Sequence, residues 1–269
     1  MDQQTIYDDF DTLSIAAAAF IRQKILDCLQ HQPRCRIALP GGNTPAACLR
    51  HLSNYALPWA QIEWYMGDER CLPVGHPERN DRSVLQTLFQ HQEHQEHQEH
   101  QEHQEHQDHQ DNQDNQKSQS QPNGQDAQGL QTPQNRPCKS NFYPIKAELG
   151  AEKAAQDYQA RISGFDAFDI VLLGMGEDGH TASLFPNNLA LKQTDSVVAV
   201  FNAPKPPAER VSLGLNTLIK AHCRIVLATG ANKQAALKRV AQGEALPINL
   251  IGPKQWFLDK EAMPESPAL

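Results

Sequence analysis

The stretch FDIVLLGMGEDGHTASLFP (residues 168–186) starts as the most apolar run of the chain and ends in a loop of glycines, acids and one histidine. Its first seven residues, 168–174, have the length and bulk of a strand buried on both faces. Gly174 and Gly176 let the backbone turn sharply off that strand, and Gly179 permits a positive φ or the close approach of a ligand. Asp178 and His180 flank Gly179, so both reach one place if the loop curls. The carboxylate then either orients the imidazole or contacts a ligand itself. The local alternative is that Asp178 caps a short helix over HTASLF, with His180 in its first turn.

Around this strand the pattern alternates. LSIAAAAFIRQKILDCLQ (13–30) has apolar residues at helical spacing. CRIAL (35–39) reads as a strand stopped by PGGNTP, with Thr44 as N-cap and Pro45 as the first position of a following helix. IEWYM (62–66) is a second strand and DRSVLQTLF (81–89) a helix. GAEKAAQDYQARIS (150–163) is a helix, VVAVF (197–201) and RIVLAT (224–229) are strands, and ANKQAALKRVAQ (231–242) is a helix. Such alternation predicts a single α/β domain, Rossmann-like, with a mainly parallel sheet and helices on both faces. Ligands of such sheets bind where strands end.

One segment does not fit a fold. Residues 91–116 carry seven of the twelve histidines and eight acids, with no apolar side chain and no Lys or Arg. Their triplet repeat does not match a period of 3.6, and they have nothing to bury against the entropy of ordering. Together with the linker-like SQSQPNGQDAQGLQTPQNRP they predict a disordered low-complexity insert over 91–137. It splits one catalytic domain into 1–90 and 138–269. Its clustered histidines would hold Zn or Ni incidentally. Subtracting its eight charges from the net −8 leaves the remainder near zero, so no basic face for nucleic acid is expected. Six cysteines without a CxxC pair read as reduced thiols. The acidic, polar first residues and the lack of a long apolar run predict a cytoplasmic protein without a membrane span.

The remaining loops favour anions. LPGGNTP (39–45) exposes backbone N–H groups of Gly41 and Gly42 at a helix start, with the Thr44 hydroxyl beside them. GDER (67–70) sets Asp68 and Arg70 at another strand end. APKPPAERVSLG (203–214) brings Lys205 and Arg210, and TGANK (229–233) places Lys233 where a cation opposes the helix dipole unless an anion is near. Singly each is ordinary solvated surface; after four strands of one sheet they point to a phosphate-bearing substrate.

Four of these stretches, GMGEDGHTASLFP, LPGGNTP, GDERCLPVGHPERND and PKPPAERVSL, resemble in order the motifs of the 6-phosphogluconolactonase family, in the sugar-phosphate isomerase and deaminase superfamily. The resemblance runs over about residues 10–90 and 142–258, with Asn43 where Ser is commoner and no counterpart of the insert. It implies hydrolysis of 6-phosphoglucono-δ-lactone without a metal or organic cofactor. His180 would serve as general base and then general acid, and Asp178 would position substrate or water. Asp68 and Arg70 would shape the sugar site, Gly41, Gly42 and Thr44 would offer donors to phosphate or an oxyanion, and Lys205, Arg210 and Lys233 would bind phosphate. Two rivals remain. A glucosamine-6-phosphate deaminase would carry a carboxylate downstream, in a pattern like D-G-H-x-A-F-N-E-P, where this chain has Leu184 and Phe185. A non-catalytic sugar-phosphate or metal binder would have no need of both Asp178 and His180.

Overall fold

The computed structural model describes residues 2–89, 136–137 and 139–264. The insert expected over 91–137 lies outside the described residues, apart from Arg136 and Pro137. No helix among the described residues is long and apolar enough to cross a membrane.

The main sheet has seven strands: β1 (Gln3–Tyr7), β2 (Cys35–Leu39), β3 (Ile62–Met66), β5 (Phe142–Tyr143), β6 (Ile170–Gly174), β9 (Cys223–Ala228) and β10 (Gln255–Asp259). Their order is β1-β10-β9-β6-β2-β3-β5, and every neighbouring pair is parallel. The expected parallel α/β architecture is therefore the observed one. Ile170, Val171, Leu172 and Leu173 of β6 are all buried, as a strand covered on both faces must be. Each contributes on the order of 1.5–3 kcal/mol through burial.

The α-helices among the described residues are α1 (Phe10–Leu29), α2 (Asn43–Ser53), α3 (Asn80–Leu88), α4 (Ala151–Ile162), α5 (Leu215–Lys220), α6 (Gln234–Ala241) and α7 (Pro247–Leu250). Helix α1 begins at a capping box: Asp9 accepts from the Thr12 N–H, and the Thr12 hydroxyl accepts from the Asp9 N–H. Helix α2 begins two residues earlier than the sequence pattern suggests. Gly42 is its N-cap with φ +99°, so Thr44 lies inside the first turn and is not a cap. Pro45 is third in the helix, where its missing N–H costs nothing. The HTASLF helix does not form. Thr181 and Leu184 bridge across a tight turn, with Ala182 at φ +48°.

A second sheet departs further from the expectation. Residues 197–201 do not extend the parallel sheet. Instead β4 (Asp68–Arg70), β7 (Val197–Val200) and β8 (Arg210–Leu213) form a three-stranded antiparallel sheet in the order β4-β8-β7. Arg210, read as loop, opens β8 opposite Arg70. GDER reads as a charged turn because a strand of four polar residues has no apolar alternation. It pairs because its charges find partners. Fully buried Glu69 accepts the N–H groups of Arg70, Asn80 and Asp81, each at 2.8 Å. Burial pushes its carboxyl up to about 7, against the pull of these donors. Glu69 thereby caps α3, whose own N-cap residue Arg79 provides no side-chain cap.

Glu69→Ala should thus destabilise the fold by about 3 kcal/mol, since orphaning one buried donor already costs about 1–3 kcal/mol. The midpoint of urea unfolding measures this; a midpoint unchanged from wild type would show that α3 does not depend on the cap.

Candidate active site

The chain winds outward from β2 through β3 to β5, then returns to β6 and winds the other way through β9 to β10. The direction therefore reverses between β2 and β6, and a crevice opens beyond the carboxyl ends of these two neighbours. The loop after β2 carries Gly41 and Gly42, and the loop after β6 carries His180. They face each other across a cavity of about 510 Å³. Gly41, Gly42, Thr44, Asp68, Arg70, His180, Lys205, Arg210 and Lys233 all line it, so nine of the ten residues singled out in the sequence meet at one place.

The tenth, Asp178, is not in the lining. It sits behind His180, where its Oδ1 is 2.5 Å from the ring Nδ1 and accepts the His180 backbone N–H at 3.1 Å. Of the two roles left open in the sequence, this position suits the orienting one. Burial would raise the Asp178 carboxyl, but the hydrogen bonds and charge of His180 outweigh it and bring it down to about 2. An ionised partner on Nδ1 keeps the proton there, and among the described residues Nε2 has no hydrogen-bond partner, while the ring lines the cavity. Two glycines make this possible. A Cβ on Gly176 would stand 2.0 Å from His180 Nδ1, and Gly179 turns at φ +84° where a Cβ would stand 2.6 Å from Leu246 Cδ1. Phe185 backs the ring, with centroids 4.5 Å apart.

Four cations surround the cavity. Arg70 reaches Glu78 at 3.5 Å, yet its buried Nε has no partner. Arg210 donates to the carbonyls of Pro207, Lys205 and Pro206 and so holds the 203–208 loop, while its Nη1 meets no protein acceptor. Among the described residues Lys205 and Lys233 make no ion pair. Burial lowers the Lys233 pKa and the neighbouring Lys205 lowers it further, against Glu177 and Asp178. The N-terminus of α2 adds uncapped backbone donors. The Thr44 hydroxyl is 2.8 Å from that of Thr229, so it belongs to a hydroxyl pair and is not a lone donor.

Several site residues escaped the sequence reading. Asn80 donates to Asp68, and a Cβ on Gly41 would collide with its Oδ1 at 2.0 Å. Ser183 donates to Asp68 Oδ2 at 2.6 Å, fixing a buried carboxylate. Burial raises the Asp68 pKa, opposed by Ser183, Arg210, His180 and Arg70. Asn80 and Ser183 both stand inside the motif stretches, but their partners lie 12 and 115 residues away.

The sequence pattern of the family described as glucosamine-6-phosphate isomerases/6-phosphogluconolactonase matches residues 8–128 and 117–260. A 6-phosphogluconolactonase of Synechocystis sp. is 30% identical over 262 residues, covering 91% of this chain and 90% of that protein. The chain belongs to this family. Among solved structures, a 6-phosphogluconolactonase from Thermotoga maritima superposes with TM-score 0.75 at 22% identity, covering 97% of this chain and all of the other. A monomeric glucosamine-6-phosphate deaminase superposes with TM-score 0.70 at 17% identity over 97% of this chain and 98% of that one. Both are likenesses of fold, and the fold by itself does not separate the two chemistries.

Asp178→Asn should leave the protein folded and lower kcat by on the order of 10²–10³-fold, because the amide no longer secures the Nδ1–H tautomer. Steady-state kinetics test this; wild-type kcat would remove Asp178 from the proton-transfer unit. In the wild type the carboxyl is lowered from 3.8, so the pair's stabilisation is present above that value and is lost as pH falls toward about 2.

Proposed function

We propose that the chain hydrolyses 6-phospho-D-glucono-1,5-lactone to 6-phospho-D-gluconate, the second step of the oxidative pentose phosphate pathway, in the cytoplasm. The carrying observation is His180 on the wall of a cavity with four cations, with Asp178 bonded to its Nδ1 from behind. The Synechocystis relative, named for this activity, supports the same substrate.

His180 Nε2 takes a proton from water as the water oxygen attacks the lactone carbonyl. The carbonyl oxygen becomes an oxyanion, for which the backbone donors at the start of α2 are available. The intermediate then collapses, the ring C–O bond breaks, and His180 returns the proton to the departing oxygen. Ionised Asp178 stabilises the imidazolium between these steps. Arg70 Nε, Lys205, Arg210 and Lys233 offer the phosphate charge-assisted donors, and Asp68 faces the sugar hydroxyls. Ring opening by a deaminase would need a further carboxylate beyond the histidine. This chain has buried Leu184 there and the Phe185 ring against the imidazole, which favours the lactonase reading.

The decisive assay is lactone hydrolysis by purified protein, corrected for spontaneous opening. His180→Ala should lose on the order of 10²–10⁴-fold in kcat yet still bind 6-phosphogluconate; near wild-type kcat would exclude the mechanism. Phosphate contacts should appear in KM. Arg70→Ala or Lys205→Ala should raise it about 10–100-fold, the equivalent of one charge-assisted hydrogen bond. The lactone without phosphate should be a poor substrate, and equal turnover of both would refute the phosphate site. Lys233→Met should raise KM while the ligand-free protein gains Tm, because a half-buried ammonium beside Lys205 is relieved. A lower Tm would contradict that charge account.

We further propose that residues 91–137 are dispensable for folding and hydrolysis. The rings of Phe89 and Phe142 touch, with centroids 5.5 Å apart, so the segment leaves and rejoins the domain at one place. Closing a long loop costs little more than closing a short one, about 0.6 kcal/mol per doubling. A short Gly/Ser replacement should keep kcat/KM and abolish retention on a nickel column. Soluble but inactive protein would show that the segment belongs to the site.

A further inference from the structure

At the amino ends of the central strands, the end of the sheet opposite the candidate cavity, four elements bring metal-binding side chains together. Cys28 stands in the last turn of α1, Cys35 opens β2, Asp169 precedes β6, and His222 precedes β9. The two sulfurs and an Asp169 oxygen lie within 4.8 Å of one another, a grouping of His, Cys, Asp or Glu found once among the described residues. Four ligands about 2.3 Å from a zinc ion sit about 3.8 Å apart, so a shift of about 1 Å would close the set. His222 stands outside that grouping, with Nδ1 3.4 Å from Asp169 Oδ1 and its side chain 69% exposed, so it would have to turn inward to supply the fourth ligand. A cavity of about 420 Å³ adjoins the cluster and is lined by Cys28, Asp169 and His222.

The surroundings hold the ligands as a metal site requires. The Arg36 N–H donates to Asp169 Oδ2 at 2.8 Å, which leaves Oδ1 for a second partner. The Gln32 amide donates to Cys28 Sγ at 3.0 Å and to the Arg34 carbonyl at 2.8 Å, bracing the turn between the two cysteines.

We propose that Cys28, Cys35, Asp169 and His222 form a tetrahedral Zn²⁺ site. Two thiolates, one imidazole and one carboxylate oxygen suit zinc and not a hard cation such as Mg²⁺ or Ca²⁺. Binding displaces the two thiol protons to solvent, and the ion forms two Zn–S bonds, one Zn–N bond and one Zn–O bond. The ion would tie the end of α1 to the starts of β2, β6 and β9. The strands separate it from His180 by about 16 Å, the length of five extended residues. Its effect is therefore on stability and not on turnover.

The test uses the full chain, reduced and stripped with chelator, titrated with Co²⁺ as the probe. The histidines of residues 91–109 would also bind cobalt but supply no sulfur, so a thiolate-to-cobalt charge-transfer band reports a cysteine site, and the cysteine variants assign it to this cluster. The band should saturate at one ion per chain, vanish on adding Zn²⁺, and fall by half or more in Cys28→Ser and in Cys35→Ser. Cys71→Ser should leave it unchanged. Zn²⁺ should raise the Tm of wild type more than that of Cys28→Ser, while both keep the same kcat. Cys28 is partly exposed, so Cys28→Ser carries the test if Cys35→Ser fails to fold. No charge-transfer band in wild type, an unchanged band in Cys28→Ser, or closure of Cys28 and Cys35 to a disulfide in place of metal binding would each overturn the proposal.

Discussion

The ladder between β2 and β6 is the joint on which this molecule depends. Ile37 stands opposite Ile170 and Ala38 opposite Val171, and the Asp169 N–H donates to the Arg36 carbonyl at 3.0 Å. Here two halves of one sheet, wound in opposite directions, meet side by side. Because the connections diverge, the loops after both strands are left facing an open crevice. The candidate site is assembled there: the glycine turn and first turn of α2 from one side, the histidine loop from the other. The small antiparallel sheet closes the third side. It attaches where β3 continues into β4, through the Gly67 N–H to the Leu39 carbonyl at 2.7 Å and the Leu213 N–H to the Gly67 carbonyl at 2.8 Å.

Charge is distributed unevenly around this crevice, and the unevenness has a cost. Arg70, Lys205, Arg210 and Lys233 converge with a single nearby ion pair, to Glu78. Such convergence opposes the ligand-free fold and is relieved by an anion, as expected of a site built to bind phosphate. The neighbouring acids Asp68 and Glu69 divide the remaining work. Alternation along β4 sends Asp68 to the cavity and Glu69 inward. One is held by Ser183 and Asn80 beside the substrate space, and the other is held by three backbone donors beneath α3. Misplacing α3 would move Asn80, and with it Asp68 and the close packing of Gly41.

What the sequence by itself determined is local and periodic. The bulk of FDIVLLG marked the buried strand β6, and CRIAL and IEWYM matched β2 and β3 residue for residue. Gly41, Gly42, Gly176 and Gly179 marked turns whose close packing or positive φ disfavours a side chain, so the loops of the candidate site were legible before any contact was known. The tertiary structure alone decided matters set by residues distant along the chain. It set Asp178 behind the imidazole and away from the cavity, drew VVAV and RVSL into a separate antiparallel sheet, and made Glu69 the cap of α3. It also joined Cys28 and Cys35 to Asp169, which no cysteine spacing announces. The physical reason is common to these cases. Periodicity records which face of an element is buried, whereas the partner of a buried charge or thiol is chosen by how the elements dock.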